Sequence, residues 1–161
     1  MSRKLRRIKQ FQSLFSHRES ILETELYSKF EVKFGLEITG EKLRPDDVDA
    51  FLGLLHTHGF NKGEGTARGG PPWGAWAYRS SFDNPDEDLD DRLLVLLSIF
   101  EPIQDKLDYY INSDEYTVAI RIYYENNLDI ASISINSNIL TRLARLCNNV
   151  YISMIGDTEK D

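Results

Sequence analysis

A chain of 161 residues with a net charge of −7 and one cysteine excludes several classes at once. It is long enough to bury roughly two-thirds of its unfolded surface, and with 41% hydrophobic residues it needs no disulfide or metal staple. No apolar run approaches the roughly 18 residues that span a bilayer, and the acidic balance argues against general binding of DNA or RNA, whose phosphates it would repel.

The charge is uneven. Residues 1–18 hold Arg3, Lys4, Arg6, Arg7, Lys9 and Arg18 and no acid; subtracting that +6 from −7 leaves −13 on the rest. A body this acidic suits a basic protein partner, or serves solubility alone. The basic N-terminus lacks a secretory apolar core and a cleavage site, so a cytoplasmic protein is expected. Cys147 falls in an apolar helical pattern and reads as a small buried side chain.

Leu5, Ile8, Phe11, Phe15 and Leu22 recur at helical spacing, which predicts an amphipathic helix over 3–23. We take residues 1–24 as a basic extension and 25–161 as one domain. The extension could pack on the domain, pair with a second copy as a homodimer, contact RNA or lie on a membrane surface. Tyr27 to Ile38 then alternates, with Phe30, Val32, Phe34, Leu36 and Ile38 on one face and Lys29, Glu31, Lys33 and Glu37 on the other. That is a half-buried strand. Pro45 opens a helix with Asp46 and Asp47 in its first turn. Its predicted buried face is Val48, Phe51, Leu52 and Leu55, and Gly59 is its predicted stop.

Asn61 to Pro72 reads as a loop holding Gly63, Gly65, Gly69 and Gly70, with Lys62, Glu64 and Arg68 between them. A phosphate cradle wants a strand before such a loop and a helix after it. Here the order is reversed, which favours a surface loop. Trp73 to Phe82 returns to strand. Two tryptophans three apart on a strand point to opposite faces, so Trp73 and Trp76 divide into one core and one exposed residue.

Asp83 to Asp91 packs six acids into nine residues. The spacing lacks the central glycine and closing glutamate of a calcium loop, and acids ahead of a helix cap it and oppose its dipole. Leu89, Leu93, Leu96, Leu97 and Phe100 mark that helix; Pro102 divides it, and Ile103, Leu107 and Ile111 resume the pattern. Tyr116 to Tyr124 and Ile130 to Ile135 read as two strands joined by a turn at Glu125-Asn126-Asn127, an antiparallel hairpin. Asn136 or Ser137 caps a last helix with Ile139, Leu140, Leu143 and Leu146 inward, and Val150 to Ile155 is a final strand. The expected fold is α+β and ferredoxin-like: a mostly antiparallel five-stranded sheet with helices on one face, the first strand and helix added at one side.

Several of these pieces in this order resemble a bacterial family known as domain of unknown function 4279. They are Pro45, Leu52-Gly53, Lys62-Gly63-Glu64, Trp73 or Trp76, the acidic lead and helix from Asp86 to Leu97, and the Leu140-to-Leu146 helix. The resemblance covers about residues 27–156. Members often place a proline soon after Leu-Gly, where this chain has Leu54-Leu55-His56. The resemblance implies no enzymatic activity; some members resemble, by context, immunity proteins that neutralise toxins deployed between bacteria.

The ionisable residues do not spell a reaction. His56 and His58 lie two apart without the further ligands zinc needs, and no activated serine or cysteine motif is present. No cofactor or metal is expected. The leading expectation is therefore a non-enzymatic binding module, an immunity protein that masks the basic surface of a toxin. Asp86, Glu87, Asp88, Asp90 and Asp91 would supply the charge, with Trp73 and Trp76 as anchors. Two alternatives stay open: a small-ligand sensor or enzyme using Lys62, Glu64, Arg68 and Trp73, and a homodimer formed through the N-terminal helix.

Overall fold

The computed structural model describes residues 31–64, 70–84, 86–125 and 133–155. The predicted N-terminal helix, and with it the homodimer it would form, lies outside these residues.

Five strands form one sheet: β1 (Glu31–Gly40), β2 (His58–Phe60), β3 (Gly74–Phe82), β4 (Tyr116–Glu125) and β5 (Asn149–Ile155), in spatial order β2-β3-β1-β4-β5. Around it lie α1 (Pro45–Leu52), α2 (Leu89–Phe100), a 3-10 turn at Glu101–Ile103, α3 (Gln104–Ile111) and α4 (Ser137–Leu143). The fold is α+β, but the sheet is mixed: β1 pairs antiparallel with β3 and β4, β2 pairs antiparallel with β3, and β4 pairs parallel with β5.

Two expectations fail here. The first strand is the centre of the sheet, not an addition at its side, because both its edges are paired. The hairpin after β4 is also absent among the described residues: β1 and β5 occupy both edges of β4, and Ile133 to Ile135 are not strand. Ile133 and Ile135 instead pack their side chains against the core, so their alternating burial does not come from a ladder. Residues 130–132 of the predicted strand lie outside the described set. Without the hairpin, the ferredoxin-like order does not describe this sheet. The chain instead crosses over from β4 through α4 to a parallel β5, a connection a hairpin cannot make.

The alternation of β1 survives intact. Val32, Phe34, Leu36 and Ile38 face the core, joined by Trp76 and Phe82 of β3 and Val118, Ile120 and Ile122 of β4. The buried residues of all four helices, from Val48 and Leu52 to Leu143, belong to that same cluster. The described helices thus share one face of the sheet, as expected. Cys147 is buried there, its thiol pushed up by burial and donating to the Leu143 carbonyl at 3.3 Å.

Local signals explain most element ends. Pro45 sits in the first turn of α1 with Asp46 and Asp47. The helix stops at Gly53, whose φ of 73° is the left-handed cap that glycine adopts without strain. Gly59 is not that stop. It lies in β2, where an added Cβ would come within 2.9 Å of the Pro45 ring, so it is glycine because two segments touch. Ending the helix at Gly53 instead of Gly59 leaves Leu55 outside it and exposed, and Phe51, although within α1, is exposed instead of buried. Pro102 breaks the long pattern into α2 and α3 through the 3-10 turn, as its missing N–H requires.

Candidate functional site

The acidic lead is spent largely on holding helices. Asp88 is the N-cap of α2, its carboxylate accepting from the Asp90 N–H at 2.9 Å. Asp90 reaches across to accept from the Asn136 N–H at 3.2 Å, tying the start of α2 to the start of α4. Glu87 accepts from Arg92 Nε at 2.6 Å, and the Asp86 N–H is held by Asn84 Oδ1 at 3.1 Å. Of these, Asp88 fills the expected capping role, with Asp90 and Asp91 in the first turn.

The described residues at the start of the glycine loop are likewise bonded within the protein. Lys62 Nζ lies 2.6 Å from Glu41 Oε1. The Glu64 carboxylate accepts from the Asn61 N–H at 2.8 Å and its side-chain amide at 2.9 Å. Arg68 lies outside the described residues. Trp73 is 45% exposed while Trp76 is fully buried. Trp76 therefore cannot meet a partner, because its indole is already packed in the core.

Three arrangements escape the sequence. The first surrounds Asp49, on α1 and facing β3. One carboxylate oxygen accepts from Trp76 Nε1 at 2.7 Å and from the His56 backbone N–H at 2.7 Å. The other lies 2.8 Å from His56 Nδ1, a contact that puts the imidazole proton on Nδ1. Burial pushes the Asp49 carboxyl up, but the Trp76 indole and the two His56 donors outweigh it and hold its pKa below the usual range. A folded-state pKa below the unfolded one adds stability that is present above the ordinary aspartate range, near 4, and lost as pH falls through the depressed value. Asp49→Asn should therefore lower stability at pH 7 and flatten the acid limb of a denaturation-midpoint-versus-pH curve. An unchanged limb would remove Asp49 from acid unfolding.

Asp46, Asp49 and His56 offer ligand atoms within 4.8 Å of one another. Asp49 already accepts from three donors, so a cation on its second oxygen would compete with His56 Nδ1–H. Asp49, His56 and Trp76 together pin α1 and the segment before β2 onto β3.

The second arrangement is aromatic. Phe51 of α1 meets Tyr109 and Tyr110 of α3 at ring separations of 5.4 and 5.7 Å, and Tyr110 meets Tyr116 of β4 edge-on at 5.1 Å. Tyr110 is buried; burial, reinforced by Tyr116, Tyr109 and Asp47, pushes its phenol up to about 12. Phe51 and Tyr109 are 43% and 58% exposed. Asp47 lies near Tyr110 and Glu115 near Tyr116, while Lys106 donates to the Leu52 carbonyl at the end of α1. Gly40 of β1 pairs with both Gly74 and Tyr116, so Trp73 comes to the same end of the sheet. The acidic lead sits at the opposite end, after Phe82, about 30 Å away by the rise of a ten-residue strand.

The third arrangement lies on the sheet face turned away from the helices. Gly35 is flanked across the ladders by Arg79 of β3 and Arg121 of β4. Glu37 receives both guanidinium groups, at 3.2 Å from Arg79 Nη2 and 3.4 Å from Arg121 Nε. The cue available in the sequence was a glycine inside a strong strand.

A helix-backed sheet with aromatic rings left open at one end defines a small two-layer α+β domain. The chain belongs to the family described as "Domain of unknown function (DUF4279)", which it matches over residues 30–154. No curated protein and no solved structure matches it. No helix among the described residues is long and apolar enough to cross a membrane.

Proposed function

We propose that the protein is a non-enzymatic binding module that captures a basic protein, most specifically an immunity protein that occludes the basic surface of a toxin. The observation that carries this reading is the exposed pair Phe51 and Tyr109, seated on buried Tyr110 and accompanied by acids. Large rings held against a rigid core lose little entropy on binding and supply anchors. Carboxylates beside them favour arginine and lysine, which also stack on ring faces.

The proposed anchors lie away from the acidic lead. A standard interface of about 800 Å² per partner centred on Tyr109 would not reach Asp86 to Asp91. Those acids contribute a field that speeds encounter, while Phe51, Tyr109 and Trp73 make the contact. Among the described residues, Asp86 and Asp91 lend their carboxylates to no hydrogen bond, so their charge can be reversed without uncapping α2.

The test is affinity capture from the native host, followed by kinetics on the captured partner. A basic partner is expected, bound at least about 30-fold more weakly by the Phe51→Ala/Tyr109→Ala double variant. Reversing Asp86 and Asp91 should slow association and reduce its salt dependence. A partner held equally well by the double variant, or association indifferent to salt, would remove the proposal.

A further inference from the structure

We infer that the helix-free face of the sheet carries a second, independent site, one for the oxyanion head of a small ligand such as a carboxylate or phosphate monoester. The site is the hollow above Gly35. Where every neighbour on that face has a side chain, Gly35 has none. The gap, about 20 Å³, is lined by Lys33, Glu37, Arg79, Arg121 and Tyr123. That is room for one or two oxygen atoms and not for a whole metabolite, so a ligand could enter only by a small head group.

The charges do not balance. Two guanidinium groups converge on the single carboxylate of Glu37, which is only 13% exposed. One positive charge is left over. Lys33 is a further cation lining the hollow, and the acids it pairs with, Glu31 at 2.7 Å and Glu125 at 3.6 Å, lie further along the strands.

The donors do not balance either. Arg121 Nε is buried and has no hydrogen-bond partner among the described residues; Glu37 at 3.4 Å offers it charge without a bond. A buried donor without an acceptor is costly. The Arg121 guanidinium is also fixed in place, 4.8 Å over the ring of Tyr151. A held guanidinium presents a flat fork of donors that matches a carboxylate or a phosphate edge. The surplus charge and the missing side chain meet at the hollow, and the unpartnered Nε of Arg121 is buried behind it. Gly35 lies five residues along β1 from Gly40, so this site is separate from the aromatic end.

The test is an NMR titration of the 15N-labelled full-length protein with sodium acetate and, separately, inorganic phosphate, at constant ionic strength against chloride. The backbone amides of Gly35, Arg79 and Arg121 and the Arg121 Nε–H should shift saturably with at least one oxyanion. The tighter of the two assigns the head as carboxylate or phosphate. Arg79→Gln and Arg121→Gln should each weaken binding about tenfold. Glu37→Gln should tighten it several-fold, because it removes the resident competitor; a purely structural ion pair would not give that gain. A linear drift matching chloride, saturable shifts untouched by either arginine variant, or no gain in Glu37→Gln would each overturn the site.

Discussion

Replacing Trp76 by alanine should lower the unfolding free energy by about 3–5 kcal/mol, read as a fall in denaturant midpoint. Trp76 is fully buried at the middle of the core, and its ring meets Phe100 edge-on at 6.4 Å. Removing it opens a cavity between α2 and the sheet. It also takes the indole N–H from Asp49, leaving a partly buried carboxylate one donor short. Trp76→Phe separates these effects: most of the ring volume stays, and the lost bond to a charged acceptor should cost about 1.5–3 kcal/mol. Because Asp49 and Trp76 share one hydrogen bond, Asp49→Asn and Trp76→Phe together should cost less than their sum. A loss below about 1 kcal/mol for Trp76→Ala would mean that the core does not close around this ring.

Gly35→Ala is the second large effect, although it adds only a methyl group. The new Cβ would overlap the carbonyl oxygen of Tyr78 and come within 2.9 Å of the Arg79 Cα. Both obstacles are backbone of the neighbouring strand, so no side chain can turn aside. β1 and β3 would have to separate at the centre of the sheet, at a cost of about 3 kcal/mol. Gly63→Ala is the informative contrast. Its φ of 82° is unfavourable for alanine, yet among the described residues nothing lies within 4 Å of the added atom. The expected loss there is about 1–2 kcal/mol, from backbone strain alone. Thermal unfolding of the two variants should therefore rank Gly35→Ala as clearly the more damaging.

What could be read in the chain followed from how local each signal is. The period-two pattern of Val32, Phe34, Leu36 and Ile38, the Pro45 start, the Pro102 break and the acids capping α2 are all set by neighbours in sequence. The tryptophans divided into one core and one exposed residue as expected, Trp76 inward and Trp73 outward, although Trp73 precedes β3 and is not part of its alternation. Gly53 and Gly59 misled because both can end a helix; only the packing of β2 against Pro45 tells them apart. The parallel β5 was hidden because a strand pattern does not carry its partner's direction. Ile133 and Ile135 were misread because alternating burial needs no strand.

The candidate sites were hidden for the same reason. Asp49, His56 and Trp76 meet only when α1 and β2 fold onto β3. Arg79 and Arg121 become neighbours of Gly35 only through the register of two ladders. Phe51 and Tyr109 come together where α1 ends beside α3. None of these meetings has a spacing that a single sequence displays.

Hydrogen exchange on the protein bound to its captured partner tests the proposed contact surface most directly. The proposal predicts slowed exchange at the end of α1, along α3 and at the start of β4, around Phe51, Tyr109 and Tyr116. The acidic lead should keep its free-state rates. Protection confined to Asp86 to Asp91 or to β5, with the aromatic end unchanged, would contradict it.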